Sequence, residues 1–567
     1  MDNVRVALWL ALLAMLWLAY TAWVTDHPPP APANVPSAVN PADSGTALSN
    51  GADRLPSLQG APPAATAPAP PAEAAFTPPA DVVHVRTDVL DVLINLRGGD
   101  LVRADLPNYP VTKHEPDKIV RLLDYSPEDR FLIQTGLRGV EGAQQLNQQA
   151  LYRSASPSYE LAPGQDELVV TLEWAGDGAL MAKKTYTFRR GQYAVDLALT
   201  ATTRPGANWQ GAPYLQMRRL HKPPKRRYTG VDTYSVTGPV LYNGDHFKKL
   251  KVDDLLKNPV DQTEKGGWLG AIQHHFVTVA VPPRDDDVKY DASASEVRYD
   301  PTASPTEASH EWLISAVGKT VDVGAATPLD YHYTLFVGPK LQEQLKAIGA
   351  EVEYTVDYGP LKPLSQILFT VLSLIESWVG NWGWAIILMT LLIKLVFYKL
   401  TAMSARSMAK MRKLAPKMKA LQERYKDDRQ AQSQALMELY RKEKVNPAAG
   451  CLPMLIQMPF FFAFYWVLVE SVEMRQAPFM LWIDDLSSRD PWFILPAILA
   501  GLMFLQTKMS PPPPDPMQAR MMQIMPLVFG AVFFFFPAGL VLYWLTNTGT
   551  GILQQWRINT LVARESS

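Results

Sequence analysis

The sequence has only one cysteine in 567 residues, Cys451, so neither an intramolecular disulfide nor a cysteine-based metal site can form. It also has no surplus of charge, because 54 basic residues face 55 acidic ones, which excludes a general attraction to nucleic acid. The phosphate loop Gly-x-x-x-x-Gly-Lys-Ser/Thr, the zinc helix His-Glu-x-x-His and the nucleophile turn Gly-x-Ser-x-Gly are all missing. We therefore expect no cofactor, no metal, no covalent catalysis and no catalytic residue.

Two short polar clusters, His274-His275 and the acidic run 285–287, are the remaining candidates for a metal or acid–base site. Adjacent residues on a strand point to opposite faces, and an acidic run is usually a solvated loop. We expect neither cluster to be catalytic.

Long apolar runs lie at both ends of a polar middle. Residues 6–24 contain no charge and match the roughly 20 residues that one bilayer crossing needs. The sequence Thr21-Ala22-Trp23 gives no clean small-x-small cleavage site, so we predict an uncleaved transmembrane anchor over residues 1–25 rather than a signal peptide. Residues 28–80 hold 14 prolines and 15 alanines, a composition that favours a flexible linker, assigned to residues 26–80.

Residues 81–340 show short β-branched runs separated by turns. One run, 89–96, precedes Arg97-Gly98-Gly99-Asp100, and two more, 185–188 and 193–199, flank Arg190-Gly191. Many short strands at such spacing predict an antiparallel β-sandwich.

Residues 341–380 are expected to form connecting helices and an interfacial amphipathic helix. Its apolar positions recur at helical spacing and are Leu364, Ile367, Leu368, Val371, Leu372 and Ile375. The Gly380-Asn381 sequence should end this helix.

Five more apolar spans predict an α-helical transmembrane bundle and bring the total to six crossings, five of them clustered. The second transmembrane helix is assigned to residues 381–400, the third to sixth to residues 446–556, and a short tail to residues 557–567. The apolar spans themselves are 384–400, 452–472, 492–506, 521–536 and 538–553.

Charge predicts the orientation of these spans. Between Lys399 and Lys444 there are 13 basic against 5 acidic residues, whereas residues 470–490 have two basic against five acidic ones. The first loop should therefore be cytoplasmic. Counting crossings from that side puts both termini in the cytoplasm and the β domain in the periplasm.

Residues 401–445 predict a cytoplasmic helical hairpin. Its first helix has an apolar seam with steps of three and four residues, and Pro416 should kink that helix. Asp428 is a candidate N-cap for the second helix, whose apolar positions are Ala435, Leu436, Leu439 and Tyr440. The seam of the first helix is Met411, Leu414, Met418, Leu421 and Tyr425.

Lys394 interrupts the second crossing with a cation, and Thr390 lies one helical turn earlier. A charge in this position costs on the order of 3 kcal/mol, so it should face water or a partner. The alternative is snorkelling, because Lys394 is only six residues before Leu400 and its stem can reach the head groups.

Other polar residues in the spans bear on this choice. Gln457, Thr546, Asn547 and Thr548 would line a wet cavity with Lys394, although each alone is also typical of helix-to-helix hydrogen bonds. A flexible apolar surface beside them would either pack the bundle or receive an incoming helix as a hydrophobic slide. Its candidate residues are Met454, Met458, Phe460, Phe461, Met525 and Phe533.

Several strings resemble the YidC branch of the YidC/Oxa/Alb family of membrane protein insertases. They include VGNWGW from Val379, EKVNPAAGCLPMLIQMPFF from Glu443, SVEMRQAPFMLWIDDLSSRDPWFILP from Ser471 and FFPAGLVLYW from Phe535. KGGWLGAIQHHF from Lys265 extends the similarity across the β domain. A tethered domain before five clustered crossings is also the arrangement of the Gram-negative members.

The resemblance implies a hydrophilic groove that is open to the cytoplasm and the lipid. Lys394 lies where the family usually has arginine, so the charge remains but the planar fork is lost. Thr390 and Tyr543 match family groove positions, and Trp544 replaces a tyrosine and cannot accept a hydrogen bond there. These residues, with Gln457, Asn547 and Thr548 from the polar pattern, are called the predicted groove below.

The implied function is insertion and chaperoning of membrane proteins in the inner membrane, alone or with the Sec translocon. The implied partners are nascent and newly made membrane proteins, the lipid bilayer, and the ribosome or signal recognition machinery, although the tail carries only Arg557 and Arg564. One alternative is a channel or secondary transporter that uses Lys394. Another is a periplasmic carbohydrate-binding or carbohydrate-modifying domain on an anchor, an inference from fold analogy alone.

Overall fold

A computed structural model describes residues 81–141, 143–176, 178–221, 237–297, 309–425, 428–443, 452–509 and 516–564. The predicted anchor and linker lie outside these residues. The described chain begins with a β-rich region and continues into helices, in the order that the sequence predicts.

The β-rich region forms two sheets. In the larger one the strand order is β14-β17-β18-β11-β5-β3-β2-β1-β7, with β19 added to β11 and β4 to β3. In the other it is β13-β12-β15-β16-β20-β10-β9-β8-β6. Neighbouring strands are antiparallel except for the parallel pair of β1 and β7. The strands are β1 Val82–Arg86, β2 Asp91–Asn95, β3 Asp100–Thr112, β4 Glu115–Leu123, β5 Phe131–Gly139, β6 Arg153–Ser154, β7 Ser158–Glu160, β8 Glu167–Ala175, β9 Leu180–Arg189, β10 Ala194–Thr203, β11 Trp209–His221, β12 Thr237–Tyr242, β13 Phe247–Lys249, β14 Val260–Lys265, β15 Trp268–Gln273, β16 Phe276–Val281, β17 Asp287–Val297, β18 Ser309–Val317, β19 Val321–Val323 and β20 Leu329–Pro339.

Alternating side chains explain why both sheets bury one face. Along β10, every second residue from Val195 to Thr203 is buried, as expected for a strand with one face on a core. The predicted turn before Asp100 is present, and Gly98 and Gly99 supply its left-handed backbone with φ of 81° and 63°. The antiparallel β architecture is therefore confirmed.

A buried lysine joins the two sheets. Lys184 of β9 donates to the carbonyl oxygen of Thr135 in β5 at 2.8 Å and pairs with Asp100 of β3 at 3.2 Å. Burial is the dominant influence on both groups, so it raises the pKa of Asp100 and lowers the pKa of Lys184. This pair therefore links β9 of one sheet to β3 and β5 of the other.

One short helix, α1, lies inside the β region, and the other helices follow the last strand along the chain. The helices are α1 Val252–Leu255, α2 Gln342–Ile348, α3 Lys362–Val379, α4 Trp382–Val396, α5 Tyr398–Arg424, α6 Arg429–Lys442, α7 Leu452–Glu470, α8 Ile494–Met509, α9 Pro516–Phe533 and α10 Ala538–Arg564.

The break between α3 and α4 follows from two residues. Gly380 ends α3 in the left-handed conformation with φ of 64°. The side chain of Asn381 then accepts a hydrogen bond from the backbone N–H of Trp384 at 3.1 Å and caps α4.

By length and hydropathy, no single helix among the described residues qualifies as a membrane span. The bent pair of Trp382–Val396 and Tyr398–Ser404, with 65° between its parts, qualifies together.

Helices α5 and α6 pack against each other. Leu414 and Met418 are buried between them, and Met411, Leu436, Leu439 and Tyr440 surround that contact. Asp428 accepts hydrogen bonds from the backbone N–H groups of Gln430 and Ala431 at 3.0 Å each, as predicted for an N-cap. Helix α5 continues through Pro416.

The prediction for His274 and His275 assumed that both lie on a strand, and this assumption is wrong. They form the turn between β15 and β16, where Gln273 pairs with Phe276, and their rings stack with centroids 3.8 Å apart. Both side chains therefore point the same way. Among the described residues, no group of three or more His, Cys, Asp or Glu side chains has an arrangement suited to a metal ion.

Candidate functional site

Lys394 lies in the last turn of α4 and its side chain is half-buried. Its ammonium is beside α10 and α8: a Cβ built on Gly551 would lie 3.7 Å from Lys394 Nζ and 3.9 Å from Gln506 Nε2. Among the residues that the structure describes, no hydrogen bond or ion pair to Lys394 is found. A cation without a carboxylate partner in such a place is available to an external anion.

Thr390 is one turn from Lys394 on the same helix, as predicted, but its hydroxyl is not free. Its Oγ1 donates to the carbonyl oxygen of Ile386 at 2.6 Å, and the side chain is buried. The hydroxyl of Thr390 is therefore occupied by its own helix, and the polar group that faces Gly551 is the ammonium of Lys394.

Gln457 and Asn547 meet between α7 and α10. The Nε2 atom of Gln457 donates to Oδ1 of Asn547 at 3.2 Å. Asn547 precedes Gly551 by one helical turn, so both lie on the same face of α10. Thr548 is buried, and Thr546 donates to the carbonyl oxygen of Leu542 at 2.9 Å.

Aromatic side chains pack beside this polar contact. Phe461 of α7 meets the ring of Trp544 edge-on at 4.5 Å, and Trp544 lies 5.3 Å from Phe533 of α9. Tyr543 is buried and packs 4.9 Å from Phe464. This cluster joins the three helices α7, α9 and α10.

The other predicted slide residues are distributed around the cluster. Phe460 meets Phe397, the residue between α4 and α5, at 5.0 Å, and Met458 is half-buried. Met525 is exposed on α9, whereas Phe533 is buried. The side chain of Met454 lies outside the described residues.

Sequence reasoning missed two residues beside Lys394. Gln506 is a polar residue in an apolar span, the same signal that identified Gln457. Gly551 lies inside a helix, where a glycine costs about 1 kcal/mol relative to alanine, which is a signal of close approach.

Two family models together match almost all of the chain after residue 81. The model of the YidC periplasmic domain family matches residues 82–371, and the model of the 60Kd inner membrane protein family matches residues 374–565. A crystal structure of an active YidC insertase with its first transmembrane domain resolved is 19% identical, covers 84% of this chain and 93% of its own, and has a TM-score of 0.36.

Two curated relatives are similar over nearly their whole length. The membrane protein insertase YidC of Thioalkalivibrio sulfidiphilus is 43% identical, and that of Ectopseudomonas mendocina is 40% identical. Each alignment covers 98% of this chain and 98% of the relative. On this identity and the two matching models, the chain belongs to the YidC family of membrane protein insertases.

Proposed function

We propose that this protein inserts other proteins' hydrophobic segments into the inner membrane from the cytoplasm and acts as a chaperone for them there. The half-buried Lys394 ammonium carries this proposal, because it lies beside Gly551 and Gln506 without an ion pair among the described residues. A sealed helix bundle would not leave a cation in this state, since burying an unpaired charge is expensive.

The proposed arrangement has six crossings, with α4, α7, α8, α9 and α10 as the clustered five. Both termini are cytoplasmic and the β-sandwich, residues 81–340, is periplasmic. The excess of 13 basic over 5 acidic residues between Lys399 and Lys444 supports this orientation. It also supports a cytoplasmic position for the hairpin of α5 and α6.

In the proposed mechanism, the hairpin helps to recruit a nascent or released client. A polar client segment enters the predicted groove and is held transiently near Lys394. The client's apolar helix then slides past α7 and α9 into the lipid. The Sec translocon, and the ribosome or signal recognition machinery, are proposed as partners on the family resemblance alone.

Two free-energy contributions drive insertion of the client without nucleotide hydrolysis. Burial of the client's apolar surface supplies about 25 cal/mol per Å². For acidic client segments, the membrane potential adds about 2.3 kcal/mol per charge per 100 mV.

Reconstitution tests the proposal directly. The purified chain is placed in liposomes with a small single-span client, and protease protection of the client's outer segment is measured. We expect protection that depends on the protein. An absence of protection, with solute flux instead, would favour the transporter hypothesis.

Substitutions of Lys394 test the site within the same assay. For acidic clients we expect Lys394→Glu to impair insertion most and Lys394→Ala less, while Lys394→Arg retains activity because it keeps the cation. Full insertion by Lys394→Glu at normal abundance would mean that Lys394 only snorkels.

A further inference from the structure

The connection between α7 and α8, residues 471–493, is a folded loop with a small core of its own. The side chains of Ile483 and Leu486 are buried. The carboxylate of Asp485 accepts a hydrogen bond from the backbone N–H of Gln476 at 2.9 Å, which closes the loop across nine residues. These contacts give the loop a defined shape.

A second carboxylate fixes the far end of this loop. Asp490 is buried and accepts hydrogen bonds from Nε1 of Trp482 at 3.0 Å and from the backbone N–H of Leu495 at 2.7 Å. It therefore ties the loop to the first turn of α8. The rings of Trp482 and Trp492 stack with their centroids 6.0 Å apart, so the position of Trp492 is fixed as well.

The loop is also joined to the starts of α4 and α10. Nδ2 of Asn381, the cap of α4, donates to the carbonyl oxygens of Pro478 and Phe479 at 3.1 Å each. The backbone N–H of Ala538, the first residue of α10, donates to the carbonyl oxygen of Ser488 at 2.7 Å. The loop therefore has a fixed position relative to three helices.

Leu481 combines a costly backbone conformation with an exposed apolar side chain. It has φ of 58°, in the left-handed region that glycine or asparagine usually occupies. Its turn is closed by a hydrogen bond from the backbone N–H of Ile483 to the carbonyl oxygen of Met480 at 3.1 Å. The Leu481 side chain is 78% exposed, so packing inside the protein does not offset the backbone cost. An apolar partner outside the chain would explain this residue.

Leu481 belongs to a larger apolar surface on the loop. Trp492 is 67% exposed, and Met480 is exposed as well. Phe493, directly before α8, is exposed and also has a left-handed backbone, with φ of 57°. The stacked rings of Trp482 and Trp492 join the two halves of this surface. Its residues are called the loop tip below and are Met480, Leu481, Trp492 and Phe493.

Polar groups of the same loop contact the β domain instead. Nζ of Lys113, in the turn between β3 and β4, donates to the carbonyl oxygen of Asp484 at 3.1 Å. Nη2 of Arg475 donates to the carbonyl oxygen of Pro110 in β3 at 2.6 Å. The loop therefore has a polar flank on the β domain and an apolar tip, a pattern typical of segments that lie at a membrane interface.

Lipid is the occupant that fits the loop tip. The exposed apolar surface continues from the tip along α8 through Ile498, Phe504 and Leu505. Helix α8 has 16 residues. At this length it spans about 24 Å, whereas the hydrocarbon core of a bilayer is about 30 Å thick. The loop tip adds apolar surface at the end of α8, where the helix alone is too short.

We propose that the loop tip inserts into the periplasmic leaflet and packs against lipid acyl chains just below the head groups. The inference rests on the crossings in the proposed function. It adds a lipid-binding surface that fixes the depth of α7 and α8 and, through Asn381, of α4. The loop tip does this without contacting a client.

The test measures the depth of nitroxide labels in the full-length protein, in liposomes of phosphatidylethanolamine and phosphatidylglycerol. In a Cys451→Ser background, the label is attached to the single cysteine of Leu481→Cys, Asp484→Cys or Ile498→Cys. Electron paramagnetic resonance then measures collisions with oxygen, which concentrates in hydrocarbon, and with a water-soluble nickel chelate. Asp484 is the matched control, because it is exposed on the polar flank of the same loop, and Ile498 on α8 is the lipid reference.

We expect the Leu481 label to lose its collisions with the nickel chelate and to keep those with oxygen, as the Ile498 label does. The Asp484 label should collide freely with the nickel chelate. A second series carries the label in Trp492→Cys. In that series Leu481→Asp should bring the nickel collisions back, because a carboxylate favours water, whereas Leu481→Phe should leave the label in lipid.

Two results would overturn the loop tip. Nickel collisions at Leu481 equal to those at Asp484 would place the tip in water. A loss of both nickel and oxygen collisions would place it in a protein interface, such as one with a second copy of this chain. If Leu481→Cys does not fold, the Trp492 label beside the native Leu481 decides by the same two criteria.

The Ile498 label separates this inference from the proposed function. If the Ile498 label stays in lipid while the Leu481 label meets the nickel chelate, only the loop tip fails. If the Ile498 label itself meets the nickel chelate, the proposed crossing by α8 fails, and the Leu481 label still decides the loop tip.

Discussion

Gly551 allows the charge of Lys394 to be neutralised without altering the lysine. A Cβ at Gly551 would lie 3.7 Å from Lys394 Nζ, an ordinary van der Waals distance, so a side chain can be added there. Gly551→Asp then brings a carboxylate within ion-pair distance of the ammonium. Gly551→Asn adds nearly the same shape without the charge and is the matched control.

The size of the effect follows from Coulomb's law. Two unit charges about 4 Å apart attract by about 4 kcal/mol at an effective dielectric constant of 20, before desolvation is subtracted. If about 1.4 kcal/mol remains, an acidic client segment loses about tenfold in affinity for the cation. Aspartate and asparagine have similar helix propensities, so the two variants should fold equally well.

The assay is the initial rate of client insertion into liposomes at matched protein abundance. We expect Gly551→Asp to be about tenfold slower than Gly551→Asn for a client with an acidic outer segment. The two variants should be equal for a client with an uncharged outer segment. They should also be equal in a Lys394→Met background, where no cation remains.

Equal rates for the two Gly551 variants with acidic clients would refute the reasoning. That result would mean that the ammonium does not contact the client's acidic segment. A difference that persists in the Lys394→Met background would likewise assign the effect to the new carboxylate itself.

Other predictions concern the domains around the groove. Nε2 of His275 in the β domain donates to the carbonyl oxygen of Val469 in α7 at 3.1 Å. This contact should be strongest above about pH 6.5 and weaken below it, because burial lowers the pKa of His275 well below that of a released histidine. The distance between one spin label on the β domain and one on α7 would report the change. Replacing His275 with Gln should flatten that dependence. Lys184→Met should destabilise the β domain by about 3–5 kcal/mol, because the buried carboxyl group of Asp100 loses its cationic partner, whereas Lys184→Met with Asp100→Leu should recover most of that loss in thermal unfolding. Deletion of residues 402–444 should reduce client delivery and leave the membrane core folded, and normal insertion by this variant would remove the hairpin from the mechanism.

The sequence by itself determined the features that depend on neighbouring residues. Three local features could be predicted because each involves residues only a few positions apart. They are the alternation along β10, the glycine turn before Asp100 and the helix cap at Asp428. The apolar seam of Met411, Leu414 and Met418 could be predicted for the same reason, since helical spacing brings these residues onto one face. Lys394 stood out because a cation in an apolar span needs an explanation.

Only the tertiary structure decided which distant groups meet. It placed Gly551 and Gln506 beside Lys394, and it joined the His274-His275 turn to the end of α7. The strand argument had separated the two histidines, since alternation holds inside a strand but fails in a turn. No local pattern encodes these contacts, because they depend on how whole helices and sheets pack.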